Sequence, residues 1–186
     1  MDTPLIGITG RARTGKDTSA NYLVQAFGFK QVSFAAPLKA AAAIMLGITE
    51  DMVNGTGYDR EEVNPDWGFS VREFLQKLGT EGCREAFRED FWINRARIEV
   101  ESATVPVVIS DVRFENEAEF IRKSGGVLLH IHRNTGLTHA HRSEQPLYFD
   151  EFDVNIDNTT TYMSLYNQLD NLMMRGYCLE PQGAHV

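Results

Sequence analysis

Gly10, Gly15 and Lys16 stand at the spacing glycine, four residues, glycine, lysine, inside the segment LIGITGRARTGKDT from Leu5 to Thr18. An apolar run leads in and a polar helix start follows at once, which is the context that gives this spacing chemical meaning. Glycines let the backbone curl so that successive N–H groups face one anion. The positive end of the next helix adds to that field, and Lys16 can reach the terminal phosphates of a nucleotide. Gly10, Arg11, Arg13, Thr14, Gly15, Lys16, Asp17 and Thr18 are therefore the candidate contacts to nucleotide phosphates. The plain alternative, a glycine-rich turn, does not explain why the three residues fall where a strand meets a helix.

A phosphate loop binds a nucleotide without saying what happens to it. The residue after Lys16 is Asp17, where many such loops place the serine or threonine that touches Mg²⁺. Thr18 follows one position later, so Asp17 and Thr18 either approach the metal or Asp17 caps the helix. Asp111 ends the apolar run Val107 to Ser110, a place suited to Mg²⁺, directly or through water. It can also be read as an ordinary turn aspartate. Val112 comes next, where ATP-hydrolysing motors usually carry a carboxylate, and Arg113 is spaced to clamp a phosphoryl group in transfer.

The end of the second apolar run, Val32 to Pro37, holds no carboxylate. Transfer to a sugar hydroxyl generally wants an acid residue to take the proton. A monophosphate acceptor does not, because its second pKa is about 6 and it is already largely dianionic near neutrality. It needs cations and positioning, and Lys39, Arg60, Arg72, Arg84 and Arg113 supply them. The polar stretch 133–150 contains His139, His141, Arg142 and Glu144 and has the length of a lid that closes over phosphates. His139 and His141, with His132 upstream, also raise a zinc site, though no cysteine and no helical i, i+4 pair accompanies them. Trp92 and Trp67 offer rings that could stack on a base or fill a core, and of the two Trp92 is the better base contact.

These residues need a frame. The pattern predicts strands over Leu5–Thr9, Phe29–Phe34, Val105–Ser110, Val127–His132 and Val154–Asp157. Helices are expected over Lys16–Phe27 (stopped by Gly28), from Pro37 through Leu46, from Ser70 as N-cap through Leu78, over Phe91–Val100, Glu115–Lys123, and across Met163 to Leu172. The stretch 55–68 reads as a surface loop. Strands separated by helices imply an α/β fold with a parallel sheet covered on both faces. The expected organisation is one domain over 1–186: a core of 1–36, 104–132 and 151–176, an acceptor-binding helical insert over 37–103, and the lid over 133–150.

Composition limits the partners. The 186 residues are 42% hydrophobic and 24% charged, with a formal net charge of −8, values ordinary for a globular protein. Such an acidic chain does not coat nucleic acid, so a positive site must be a local focus. No apolar run has membrane-spanning length, and none resembles a signal peptide. Cys83 and Cys178 form no metal-binding or redox pattern and suit a reducing cytoplasm.

With strand, phosphate loop, insert and lid in place, the chain resembles the bacteriophage-type deoxynucleoside monophosphate kinases. The resemblance is carried by Gly10 to Thr18, Phe34 to Lys39, Tyr58 to Arg60, Ser70 to Thr80, Asp90 to Trp92, Ser110 to Glu117, His141 to Glu144 and Val154 to Asn158. It implies a P-loop kinase fold with a five-stranded parallel sheet. By the resemblance, Arg11, Gly15, Lys16, Asp17 and Thr18 hold the phosphates of ATP. Lys39, Arg60, Arg72, Gly79, Thr80 and Trp92 line the deoxynucleotide pocket, with Asp111, Arg113 and Glu117 near the transferring group and Arg142 as a lid cation. It further implies Mg²⁺, a homodimer, and the cytoplasm, that of the host if the gene is a phage's. Two rivals stand beside it: a P-loop kinase for another phosphorylated metabolite, of the dephospho-coenzyme A or phosphomevalonate type, and a non-catalytic nucleotide-sensing module.

Overall fold

A computed structural model describes residues 4–134 and 147–176. The chain divides into two compact units, one built from the stretches up to Val32 and from Ala96 onward, the other from Ser33–Arg95.

The first unit is a sheet of five parallel strands, β1 (Leu5–Thr9), β2 (Lys30–Val32), β5 (Val107–Ile109), β6 (Val127–His132) and β7 (Val154–Asp157). Their spatial order is β2-β5-β1-β6-β7, with β1 in the centre. A central parallel strand must be apolar on both sides, and all five residues of β1 are buried. Ile6 and Ile8 point to one face and pack with Ala20 and Leu23 of α1 (Lys16–Phe27) and Leu165, Leu169 and Leu172 of α7 (Tyr162–Met174). Gly7 points to the other, where Ile121 of α6 (Glu115–Lys123) comes so close that a Cβ on residue 7 would stand 2.9 Å from it.

The approach to β7 is pinned from two sides. Arg122 of α6 donates from Nε and Nη2 to the carboxylate of Asp153 at 3.1 and 2.6 Å. His130 Nε2 lies 3.0 Å from the same carboxylate, whose side chain is 1% exposed.

The second unit holds α2 (Ala36–Leu46), α3 (Glu50–Asn54), a hairpin of β3 (Val63–Asn64) and β4 (Phe69–Ser70), α4 (Val71–Lys77) and the start of α5 (Phe91–Glu101). Ala42, Ala43 and Val53 form its small core, flanked by Ile48, Phe74 and Leu75. Thr49 and Ser70 cap α3 and α4 by accepting the N–H of Met52 and Glu73 at 3.3 and 3.1 Å. Between α4 and α5 the chain winds as a π-helix over Leu78–Glu85, seen in the i→i+5 bonds from Ala86 N to Glu81 O (3.1 Å) and Arg88 N to Cys83 O (3.2 Å).

The sequence pattern places α1, β1, α6, β6 and β7 at their observed bounds. Strand β2 is shorter than expected because the N–H of Phe29 donates to Leu23 O of α1 rather than to the sheet. Strand β5 starts at Val107, after Pro106, which has no N–H to give. The stretch 55–68, read as loop, contributes the first strand of the hairpin. Here Trp67 is tied down by donating Nε1–H to Leu46 O at 3.2 Å. Among the described residues no helix is long and apolar enough to cross a membrane.

Candidate active site

The loop after β1 has the backbone its glycines permit. Gly10 has φ +147°, and a Cβ there would stand 2.6 Å from the carbonyl oxygen of Ile131. Gly15 has φ +102° and serves as the N-cap residue of α1, a conformation that side chains resist. Arg13, at φ +63°, is the one non-glycine residue with positive φ among the described residues. Asp17 is therefore not the cap. It lies exposed in the first turn of α1, where a carboxylate is favoured by the helix dipole.

Carbonyls are the groups an anion must not meet, and here they have donors. Lys16 Nζ donates to Gly10 O at 2.8 Å and Arg11 O at 2.9 Å. Thr14 Oγ1 donates to Arg11 O at 2.9 Å. Asn158 Nδ2 donates to Thr14 O at 2.7 Å. With those oxygens bound, the loop's N–H groups and the first turn of α1 form a surface of donors suited to phosphate.

Strand register sets the second half of the site beside the first. Gly7 pairs with Ile109 and Thr9 with His130, so β1, β5 and β6 end at one edge of the sheet. Past β5, the N–H of Val112 donates to Ile8 O at 3.1 Å, which fixes Asp111 and Arg113 next to the strand that leads into the phosphate loop. Asp111 is half-buried and Arg113 exposed. The turn is held by Glu117, 2% exposed, whose Oε2 accepts the N–H of Arg113 at 2.7 Å and of Phe114 at 3.1 Å. Glu117, expected beside the transferring group, is thus an internal brace for the Arg113 backbone.

In the second unit Arg72 pairs with Glu61 at 2.9 Å, and its N–H donates to Arg60 O at 3.0 Å, bringing the two arginines together. The Arg60 side chain lies along Gly55. Lys39 is half-buried on α2, and Thr80 half-buried in the π-helix beside the buried Gly79. Two residues expected at the acceptor are interior instead. Arg84 is 5% exposed and donates Nη1–H to Glu89 O at 2.9 Å. Trp92 is 8% exposed and donates its indole N–H to Gly79 O at 3.0 Å, so its ring is a wall of the unit rather than an open stacking face.

Arg142, His139, His141 and Glu144 lie outside the described residues, as does most of the stretch expected to form a lid. His132 Nε2 lies 2.6 Å from Asn155 Oδ1, and the described residues contain no group of three or more side chains arranged for a metal. Asn158 was legible only as the last residue of a strand-end motif. A buried asparagine bonded to the phosphate loop has no signature in sequence.

Comparison with known proteins agrees with this geometry. The family model described as deoxynucleotide monophosphate kinase matches residues 4–66 and 62–169. A protein of Acanthamoeba polyphaga mimivirus described as a deoxynucleotide monophosphate kinase is 33% identical over 180 residues, 89% of this chain and 93% of that one. The chain belongs to the deoxynucleotide monophosphate kinase family. The deoxynucleotide monophosphate kinase of Escherichia phage RB69 is 22% identical over 243 residues, covering 91% of this chain and 99% of its own. Among solved structures, TT1252 from Thermus thermophilus superposes with a TM-score of 0.52 at 16% identity, over 94% of this chain and 98% of that one. A Chloroflexus aurantiacus protein described as a kinase gives 0.51 at 14% identity, over the same shares. These two support the P-loop kinase fold. Membership makes the chain a kinase with a small-molecule nucleotide substrate.

Proposed function

We propose that the chain transfers the γ-phosphoryl group of ATP to a deoxynucleoside monophosphate, giving ADP and the diphosphate. The observation that supports this reading is the Val112–Ile8 hydrogen bond, which holds Asp111 and Arg113 next to the strand that leads into the phosphate loop. The loop from Gly10 to Thr18 would hold the ATP phosphates, with Lys16 reaching them from its place over the Gly10 and Arg11 carbonyls. Arg113, joined by Arg142, would spread the charge of the migrating group. The acceptor brings its own anionic oxygen as nucleophile, so no protein base is needed. Lys39, Arg60, Arg72, Gly79 and Thr80 of the second unit would recognise it, with Arg84 and Trp92 supporting their backbone from inside.

Mg²⁺ fits the donors present. Asp111, Asp17 and Thr18 offer only hard oxygens, and too few for a closed protein cage, the pattern of an ion shared with nucleotide phosphates. When bound, it would neutralise phosphate charge and orient the chain of phosphates. The reaction would take place in the cytoplasm, the host's if the gene is a phage's, on a free nucleotide rather than nucleic acid, with a homodimer as the assembly the family resemblance favours.

The deciding experiment incubates the protein with MgATP and each of the four deoxynucleoside monophosphates and follows ADP and diphosphate formation. Turnover with at least one is expected. Inertness towards all four, with turnover on another phosphorylated metabolite or with none, would refute the reading.

A further inference from the structure

The phosphate loop is braced from a direction its own sequence does not reveal. Asn158 follows β7, a strand away from β1 across β6. Its backbone N–H donates to His132 O at 2.8 Å, which anchors it to the end of β6. Its side chain, in a residue 2% exposed, donates to Thr14 O at 2.7 Å. The amide nitrogen occupies the space that a Cβ on residue 15 would fill, so Gly15 is what lets it approach.

We propose that Asn158 is a positioning residue for nucleotide binding: it clamps the Thr14–Gly15 peptide in the orientation that receives phosphate. This rests on the phosphate-loop reading above and adds a residue to it. In a planar trans peptide the C=O and the following N–H point in opposite directions. Holding the Thr14 oxygen against Asn158 therefore turns the Gly15 N–H away from it, to the loop's donor surface. Without the clamp this peptide can rotate, and an outward-turned carbonyl in its place would repel the anion. Glycine at 15 makes such a rotation easy, since its φ and ψ are the least restricted. The same side chain thus requires the glycine and restrains it.

The test measures MgATP affinity by calorimetry without acceptor, and the KM values for ATP and for the deoxynucleotide, in Asn158→Ala, Asn158→Asp and the control Asn155→Ala. Loss of a buried hydrogen bond that orders a binding loop is expected to weaken MgATP about tenfold in Asn158→Ala. Asn158→Asp keeps the shape but sets an acceptor against the Thr14 carbonyl, so its loss should be larger. The acceptor KM should stay within about twofold in both, and Asn155→Ala should behave as wild type. A merely structural asparagine would lower Tm yet leave these affinities unchanged at temperatures where the variants are folded. Folded Asn158 variants that bind MgATP as tightly as wild type would overturn the proposal. Wild-type protein that binds MgATP, with both variants weakened, supports the clamp even if no deoxynucleotide is phosphorylated. Wild-type protein that binds no nucleotide would overturn the clamp and the site together.

Discussion

The carboxylate of Glu117 accepts the backbone N–H of Arg113 from four residues away, at 2.7 Å, and closes the turn between β5 and α6. The guanidinium proposed to meet the phosphoryl group therefore stands on a backbone held by a buried acid. Glu117→Ala would leave two N–H groups without this acceptor, at about 1–3 kcal/mol, or roughly 2–10 °C in Tm. Turnover should fall along with stability, because Arg113 loses its fixed base. Glu117→Gln retains an acceptor oxygen and should keep more than half of both, as read by thermal melts and kcat.

Lys16 offers the opposite balance. Its ammonium donates to two carbonyls of its own loop, and Lys16→Ala should leave Tm within about 2 °C. Removing the cation proposed to meet the transferring group should cost about 10³-fold in kcat. A variant with near-normal turnover would refute the placement of the site.

Gly10 tests the geometry of the cradle. A Cβ there would meet the Ile131 carbonyl at 2.6 Å in a conformation side chains avoid. Gly10→Ala should destabilise by about 2 kcal/mol or more and sharply weaken ATP binding. Chemical denaturation and nucleotide titration of one sample would show both.

Arg72 separates acceptor recognition from surface pairing. Its bridge to Glu61 is largely open to water, so breaking it from the Glu61 side should cost less than about 1 kcal/mol. If Arg72 holds the acceptor phosphate, Arg72→Ala should raise the deoxynucleotide KM about tenfold or more with the ATP KM unchanged. Glu61→Ala should leave both KM values near wild type.

The legible part of this molecule is the part written in consecutive residues. The phosphate loop is one segment, and an apolar run ending in Asp111 announces a buried strand whatever surrounds it. Residues whose surroundings are set only by the folded chain are harder to read. Trp92 and Arg84 look like ligand contacts until Gly79 O and Glu89 O are found beside them. The π-helix over Leu78–Glu85 has no composition of its own, and two-residue strands such as β3 are too short for alternation to show. Asn158 closes a legible strand-end motif, but its hydrogen bond to Thr14 O exists only in the fold.

Acid should weaken the fold in two stages, through His130 and Asp153. Burial holds the His130 imidazole below its usual pKa, against the pull of Asp153. Burial pushes Asp153 up, but hydrogen bonds from Arg122, the Asp150 backbone and His130 outweigh it and hold the acid below the carboxylate range. In both cases the unfolded chain binds more protons between the two pKa values, so stability falls as pH falls. The first decline should begin below about pH 6.5 and the second below about pH 4. Urea melts across pH should lose the first stage in His130→Gln and the second in Asp153→Asn. The latter should also cost about 3 kcal/mol at neutral pH, because Arg122 is left without its counter-charge.

The π-helix makes the numbering of the chain a mechanical quantity. Each of its turns holds about one residue more than an ordinary helical turn, so removing a single residue between Leu78 and Glu85 would let the stretch rewind in the commoner form. The wide turn would absorb the loss, so the residues beyond it, Trp92 among them, would keep their places, whereas the same deletion inside a regular helix such as α5 would turn its later side chains by about 100°. Homologues are therefore expected to differ in length by one residue here more readily than within α4 or α5.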